Sequence, residues 1–155
     1  MLSRKAKYGL QALIYLAKQP AEQPVVIADL AEKAHLPKKF LELILLDLKN
    51  IGLLHSRKGK GGGYFLSRKP EAIQLGSVVR VLNGPLAPVA CASQTAYMRC
   101  SDCESEETCG IRLVMKDVRD AMANILDNTS LADVIAMTEK AKGTESNNPL
   151  LTIAG

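Results

Sequence analysis

The sequence predicts a mainly α-helical protein with one small β-hairpin, arranged as a winged helix-turn-helix followed by a long dimerisation helix. Three observations predict it. The 155-residue chain has no Trp, two Phe and four Tyr, so its core must be built from Leu, Ile, Val, Ala and Met, which suits helix packing better than an aromatic-rich sandwich. Apolar residues recur at helical spacing through successive windows. One stretch alone, residues 53–66, changes to short apolar runs on either side of a basic, glycine-rich loop, the pattern of a hairpin. With 47% hydrophobic residues the length suffices for one compact domain or a small domain plus an oligomerisation element.

From Ser3 to about Lys18, Ala6, Leu10, Leu13, Ile14 and Ala17 share a helical face, with Ser3 placed to cap the start. Pro20 and Pro24 interrupt the pattern before a short second helix, Val26 to Ala34, in which Ile27, Leu30 and Ala31 share a face. The tight link His35-Leu36-Pro37 leads to a third helix, Lys38 to Ile51, with Pro37 suited to its first turn and Gly52 to its end. Two such helices joined by three or four residues meet the requirement of a helix-turn-helix. The hairpin follows, its tip Ser56-Arg57-Lys58-Gly59-Lys60-Gly61-Gly62-Gly63 forming a cationic wing that can approach phosphates or a minor groove. The glycines lack the spacing of a nucleotide phosphate loop.

Past Pro70, Gln74 to Leu82 reads as a short helix ended by Asn83-Gly84-Pro85, and residues 84–110 read as irregular. From Ile111 to about Leu126 an amphipathic pattern returns, with Ile111, Val114, Met115, Val118, Met122, Ile125 and Leu126 in one stripe. Little chain remains to cover that stripe, which marks it as a dimerisation helix. A short helix from Leu131 to about Met137 follows a Thr129-Ser130 cap, and residues 143–155 are expected to form a disordered tail. The domains expected are therefore 1–70, the winged helix-turn-helix, and 71–142, the dimerisation helices with the 84–110 loop between them. There are no internal repeats.

Charge divides along the same line. Residues 1–70 hold 13 Lys/Arg against 5 Asp/Glu, a net of +8, while residues 71–155 hold 7 against 11, a net of −4. A basic small domain joined to an acidic partner reads as a nucleic-acid reader with a second function attached, although solvated lysines alone also keep small domains soluble. Ser3, Arg4, Lys5 and Lys7 near the start leave no secretory signal pattern. No apolar run reaches the ~20 residues needed to span a bilayer, so the expectation is a cytoplasmic protein without a membrane partner. In that reducing compartment cysteines serve as metal ligands or redox thiols more often than as disulfides.

All four cysteines, Cys91, Cys100, Cys103 and Cys109, fall within the 84–110 loop, separated by eight, two and five residues. Four thiols interleaved with Ser101, Asp102, Glu104, Glu106 and Glu107 point to a shared soft ligand. Sulfur ligation suits zinc or an iron–sulfur cluster alike. Only Cys100 and Cys103 form a close pair, whereas a zinc ribbon shows two, and this spacing leans towards a cluster. Neither His35 nor His55 lies near the loop, so a non-cysteine ligand would be a carboxylate, an amide or a partner-subunit residue.

Several segments together resemble the Rrf2 family of winged helix-turn-helix transcriptional regulators, which includes sensors of iron–sulfur, nitric oxide and cysteine status. They are Lys7-Tyr8-Gly9-Leu10-Gln11-Ala12-Leu13, Ile27-Ala28-Asp29-Leu30-Ala31, Gly52-Leu53-Leu54, Arg57 to Tyr64, and Leu131-Ala132-Asp133-Val134. The resemblance covers nearly the whole chain. It implies a homodimer on operator DNA, expected to be a repressor, with helix three in the major groove and the wing at the adjacent minor groove. It also implies a 2Fe–2S or 4Fe–4S cluster held by three cysteines and one other residue. Cys103 and Cys109 reproduce the family's five-residue gap, and Cys91 takes the first-ligand position. Cys100 is the departure, and it can complete the cluster, replace a ligand or act as a redox thiol. On helix three the resemblance implies that Lys38, Lys39 and Glu42 contact bases or phosphates, with Leu43 standing where a relative has a polar base-contacting residue. Arg57, Lys58, Lys60, Gly61 and Tyr64 are the wing candidates, and Lys5 and Lys7 the candidates for backbone phosphates. The rival readings are structural zinc, thiol-based sensing, and a small thiol oxidoreductase using Cys100 and Cys103. The last is disfavoured because that pair does not open a helix after a strand.

Overall fold

The computed structural model describes residues 2–145. Six α-helices and one hairpin follow in the order α1 (Arg4–Ala17), α2 (Ile27–Lys33), α3 (Lys38–Asn50), β1 (Leu54–Arg57), β2 (Gly63–Leu66), α4 (Leu75–Asn83), α5 (Gly110–Asp127) and α6 (Leu131–Glu145). Single 3-10 turns lie at Pro70–Ala72 and Ala90–Ala92. Ser3 caps α1 as expected, its side chain accepting the Ala6 N–H at 3.1 Å. Pro37 sits one position before α3 rather than inside its first turn; its carbonyl accepts the Leu41 N–H, and its missing N–H is lost where no helical partner exists.

Both helices of the helix-turn-helix end in the same way. At the end of α3 the Gly52 N–H bonds the Lys49 carbonyl and the Leu53 N–H bonds that of Leu48; at the end of α2 the His35 N–H bonds Glu32 and the Leu36 N–H bonds Ala31. These paired bonds satisfy the last carbonyls of each helix and reverse the chain within two residues. His35 takes the left-handed conformation, with φ of 54°.

One apolar core unites the helices. It contains Leu13 and Leu16 of α1, Leu30 of α2, Leu41, Ile44, Leu45 and Leu48 of α3, Leu54 of β1, Ile73, Val78 and Leu82 around α4, and Leu131 of α6. Each such fully buried Leu contributes about 1.5–3 kcal/mol relative to exposure. Helix α1 lies centrally, against α3, α4 and α6. Its Gly9 permits that closeness, because a Cβ there would strike Leu82 Cδ1 and stand 3.3 Å from Ile44 Cγ2. Leu82 and Ile44 are themselves buried and cannot swing into solvent. Gly9→Val is therefore expected to destabilise the fold by about 2–3 kcal/mol through overpacking, read as a fall in Tm of roughly 5–10 °C by circular dichroism.

The hairpin pairs Leu54 with Leu66, His55 with Phe65, Ser56 with Tyr64 and Arg57 with Gly63. A third segment reinforces it, since Val25 and Tyr64 exchange both backbone hydrogen bonds at 2.9 Å. Gly63, with φ of 147°, lies against the Val25 carbonyl where any Cβ would collide with backbone, so the last glycine of the wing loop is the one that seats the wing on the helical body.

Helix α6 runs to Glu145 rather than ending near Met137. Its start matches expectation, with a reciprocal cap: the Asp133 carboxylate accepts the Ser130 N–H at 2.8 Å, and Ser130 Oγ accepts the Asp133 N–H at 3.1 Å. The extension follows from good helix formers at Glu139, Lys140, Ala141 and Lys142 and from the 3.0 Å Lys18–Glu139 ion pair, which ties α6 to the end of α1. The tail expected over 143–155 thus begins in helix, and residues 146–155 lie outside the described residues.

Candidate functional site

Two sites emerge, one on α3 and the wing, the other in the cysteine loop. Helix α3 spends Leu41, Ile44, Leu45 and Leu48 on the core and leaves Lys38, Lys39, Glu42, Leu43, Leu46 and Lys49 outside, as a 3.6-residue period requires. Between this outer face and the wing lies an open cleft of ≈ 570 Å³ whose lining includes Lys38, Glu42, Lys49, Arg57, Lys58, Gly61 and Tyr64. Lys39 and Lys60 are exposed beside it, on α3 and at the wing tip. The structure therefore gathers the α3 and wing candidates on one cationic face. Tyr64 is half-buried and joins the core margin, so its place in the cleft is that of an anchor for the wing. The Arg57 guanidinium stacks 5.8 Å from the Phe65 ring centre, which limits its wandering.

The first-helix candidates differ. Lys7 is exposed on α1, whereas Lys5 pairs with Asp47 of α3 at 2.6 Å and so carries a largely compensated charge. Lys49 went unnoticed in the sequence reading. Its signal was present, since it lies seven residues after Glu42 and eleven after Lys38, on the same helical face.

The 84–110 loop is irregular, as its composition implied, apart from the turn at Ala90–Ala92. Charged side chains organise it. Arg112 of α5 donates from Nε to the Cys91 carbonyl at 2.9 Å and from Nη1 to the Glu106 carbonyl at 3.4 Å, and Arg119 donates to the Ala92 carbonyl. Glu106 in turn accepts from the Tyr97 hydroxyl at 2.6 Å and from the Cys100 N–H at 3.3 Å. The Tyr97 hydrogen bond is the main reason the Glu106 carboxyl is held below the usual carboxylate range. The sequence reading missed both arginines, because nothing in one-dimensional spacing tells which cations of an amphipathic helix turn back onto the preceding loop.

Cys103 Sγ and Cys109 Sγ stand 3.6 Å apart. Hydrogen bonding to Cys109 and then Cys100 pushes the Cys103 thiol up to about 12. Cys109 occupies the N-cap of α5 without a geometrically complete capping bond, yet the Arg112 backbone amide, followed by the Cys103 thiol, holds it below the ordinary cysteine range. Two thiolates on one tetrahedral metal with bonds of about 2.3 Å stand about 3.8 Å apart, so this pair fits a metal ion or one iron of a cluster. Among the described residues no three His, Cys, Asp or Glu side chains converge as a metal site. Cys91 is fixed instead through its backbone carbonyl, and Cys100, hydrogen-bonded to the Cys103 thiol, is the sulfur next to the pair.

Helix α5 has no buried residue. Ile111, Val114, Val118, Met122 and Ile125 are exposed along one side, Ile111 to 71%, while Met115 and Leu126 of the expected stripe are half-buried, so most of the stripe lacks cover among the described residues. Its far end is pinned to α4 by the bidentate Arg80–Asp127 pair, at 2.5 and 2.9 Å.

Sequence comparison decides the family. The Rrf2 family model, described as an iron-dependent transcriptional regulator, matches residues 2–137. The chain belongs to the Rrf2 family. Members are transcriptional regulators that bind DNA, and this chain is accordingly a regulator and not an enzyme. It is 36% identical over 138 residues to the HTH-type transcriptional regulator CymR of Bacillus subtilis, covering 89% of this chain and 91% of that protein. The solved structure of CymR, the global cysteine regulator of B. subtilis, superposes with a TM-score of 0.72 at 34% identity, covering 88% of this chain and 97% of that one. The structure of T. potens IscR gives 0.70 at 30% identity, covering 91% and 90%. These similarities bear out the winged-helix fold read from the hairpin and helices. Among the described residues no helix is long and apolar enough to cross a membrane.

Proposed function

We propose that this Rrf2 regulator acts as a homodimeric repressor on operator DNA and that its cysteine loop senses iron–sulfur, redox or nitric oxide status. Residues 1–70 read DNA, with Lys38, Lys39, Glu42 and Lys49 of α3 in the major groove. Arg57, Lys58, Lys60 and Gly61 lie at the adjacent minor groove, and Lys7 on a phosphate. Lys5 joins only if its Asp47 pair opens. Residues 71–142 carry dimerisation through the α5 stripe, and the 84–110 loop carries the sensor.

The observation that bears most on sensing is the 3.6 Å Cys103–Cys109 pair at the head of α5. Together with Cys91 or Cys100, these two residues would hold a 2Fe–2S or 4Fe–4S cluster. Such a cluster supplies reversible assembly and electron exchange. This chain's own residues do the coupling: Cys109 opens α5, Arg112 and Arg119 clamp the loop to it, and the Arg80–Asp127 pair passes its position to α4, which packs on α1 and α3. A change in loop order then alters the tilt or spacing of the two reading heads. Protein purified without oxygen is expected to show charge-transfer absorption in the blue, with matching iron and sulfide, and Cys103→Ser with Cys109→Ser to abolish both and change operator affinity. Retention of metal content and DNA affinity in that double variant would overturn the proposal. Zinc in place of iron would assign the loop a structural metal.

The same distance favours a second reading, thiol sensing. A peroxide oxidises the Cys109 thiolate to a sulfenic acid and is itself reduced to water; the Cys103 thiol then displaces water to close the disulfide. Metal-free protein treated with peroxide would lose the mass of two hydrogens and two alkylatable thiols.

A further inference from the structure

The outer face of α3 carries an apolar residue in a place where solvation would favour a polar one. Leu43 is 65% exposed, although the fold has no shortage of interior positions on the same helix. Lys39, Leu43 and Leu46 follow at i, i+4 and i+7 and share a face, and Leu46 is also exposed. On the helix surface Leu43 adjoins Lys39, the exposed Phe40 and Leu46, and the cationic cleft lined by Lys38, Lys49, Arg57 and Lys58 lies beside this apolar strip rather than around it. A protein partner for a leucine stripe would be apolar at its rim or acidic. A duplex offers both the phosphates that these cations match and, in the major groove, one apolar group, the C5-methyl of thymine.

From this juxtaposition we infer that Leu43 is a specificity-determining residue that reads thymine methyl groups in each half-site, with Leu46 extending the apolar surface. The inference rests on the operator-binding reading and adds the chemistry of the bases selected. Glu42 beside it accepts from amino donors, cytosine N4 or adenine N6, so Glu42 and Leu43 together select base edges of two different kinds at neighbouring positions.

The test starts by enriching binding sites from a random duplex library with the intact protein. The resulting site is resynthesised with deoxyuridine for each thymidine in turn, which deletes one methyl and leaves pairing intact. Wild-type protein is expected to bind about fourfold more weakly at one or two positions per half-site, the factor for one buried methyl. Leu43→Ala, whose substitution lies outside the core, is expected to bind the thymine site about as weakly and to lose all sensitivity to deoxyuridine there. The inference is overturned if no thymine position is sensitive with wild-type protein, or if Leu43→Ala keeps the sensitivity. It is equally overturned if that variant changes the oligomeric mass while base preference stays the same, since the face would then belong to a protein contact. Failure to enrich any site sinks the operator-binding reading itself, and this inference with it.

Discussion

Replacing Arg57, Lys58 and Lys60 together by alanine is expected to weaken DNA binding by about 10³-fold at physiological salt and to flatten its salt dependence. Each phosphate neutralised by a cation releases counterions, so log K falls with log salt at a slope of about −0.9 per contact. A dimer that loses three cations from each of two wings loses up to six such contacts, and the slope should shrink by roughly five. The fold should persist, because all three side chains are exposed and the wing is seated by Gly63 and the Val25–Tyr64 bonds. Fluorescence anisotropy across a salt series measures both quantities. An unchanged slope would remove the wing from the DNA interface. Lys5→Ala serves as the contrast, since its pairing with Asp47 predicts a far smaller effect.

The second large effect is expected on α5. Val114→Asp with Val118→Asp places carboxylates in the middle of the exposed stripe. In an isolated protomer these positions face solvent, so little stability is lost. In a dimer built on this face, two unpaired charges per subunit would be desolvated, at several kcal/mol each, and the dimer should weaken by at least about 10³-fold. Sedimentation would show a monomer with native circular dichroism, and operator affinity should drop with it, because paired reading heads match paired half-sites. A variant that stays dimeric would place the interface elsewhere. A variant that unfolds would mean that α5 is covered within the protomer.

How much of this was legible without coordinates depends on the range of the interaction. The cap at Ser3 and the end of α3 at Gly52 were readable because they are local, acting within four residues of their partners, and Pro37 was displaced by only one position. The hairpin was readable because the change from helical spacing to apolar runs around Arg57–Gly63 is itself a local pattern. The end of α6 was misplaced because its extension depends partly on Lys18, 121 residues from Glu139. Lys49 was missed, although its spacing from Glu42 announced a shared face, because only the seated wing turns that face into one wall of a cleft.

The cysteine loop shows the same division. Sequence by itself determined that four thiols share one polar loop directly before an amphipathic helix, since composition and spacing are properties of the chain. It likewise determined the basic first half, the binary pattern of each helix and thereby the fold class. Only the tertiary structure decided that Cys103 and Cys109 meet while Cys91 is held by its carbonyl, that Lys5 is spent on Asp47 while Lys38 and Arg57 face one cleft, and that most of the α5 stripe lacks cover among the described residues. The physical reason is that periodicity fixes which side of an element is apolar, whereas the partner of that side is set by packing among segments far apart in the chain, where a single close approach such as Gly9 on Leu82 determines how the helices sit.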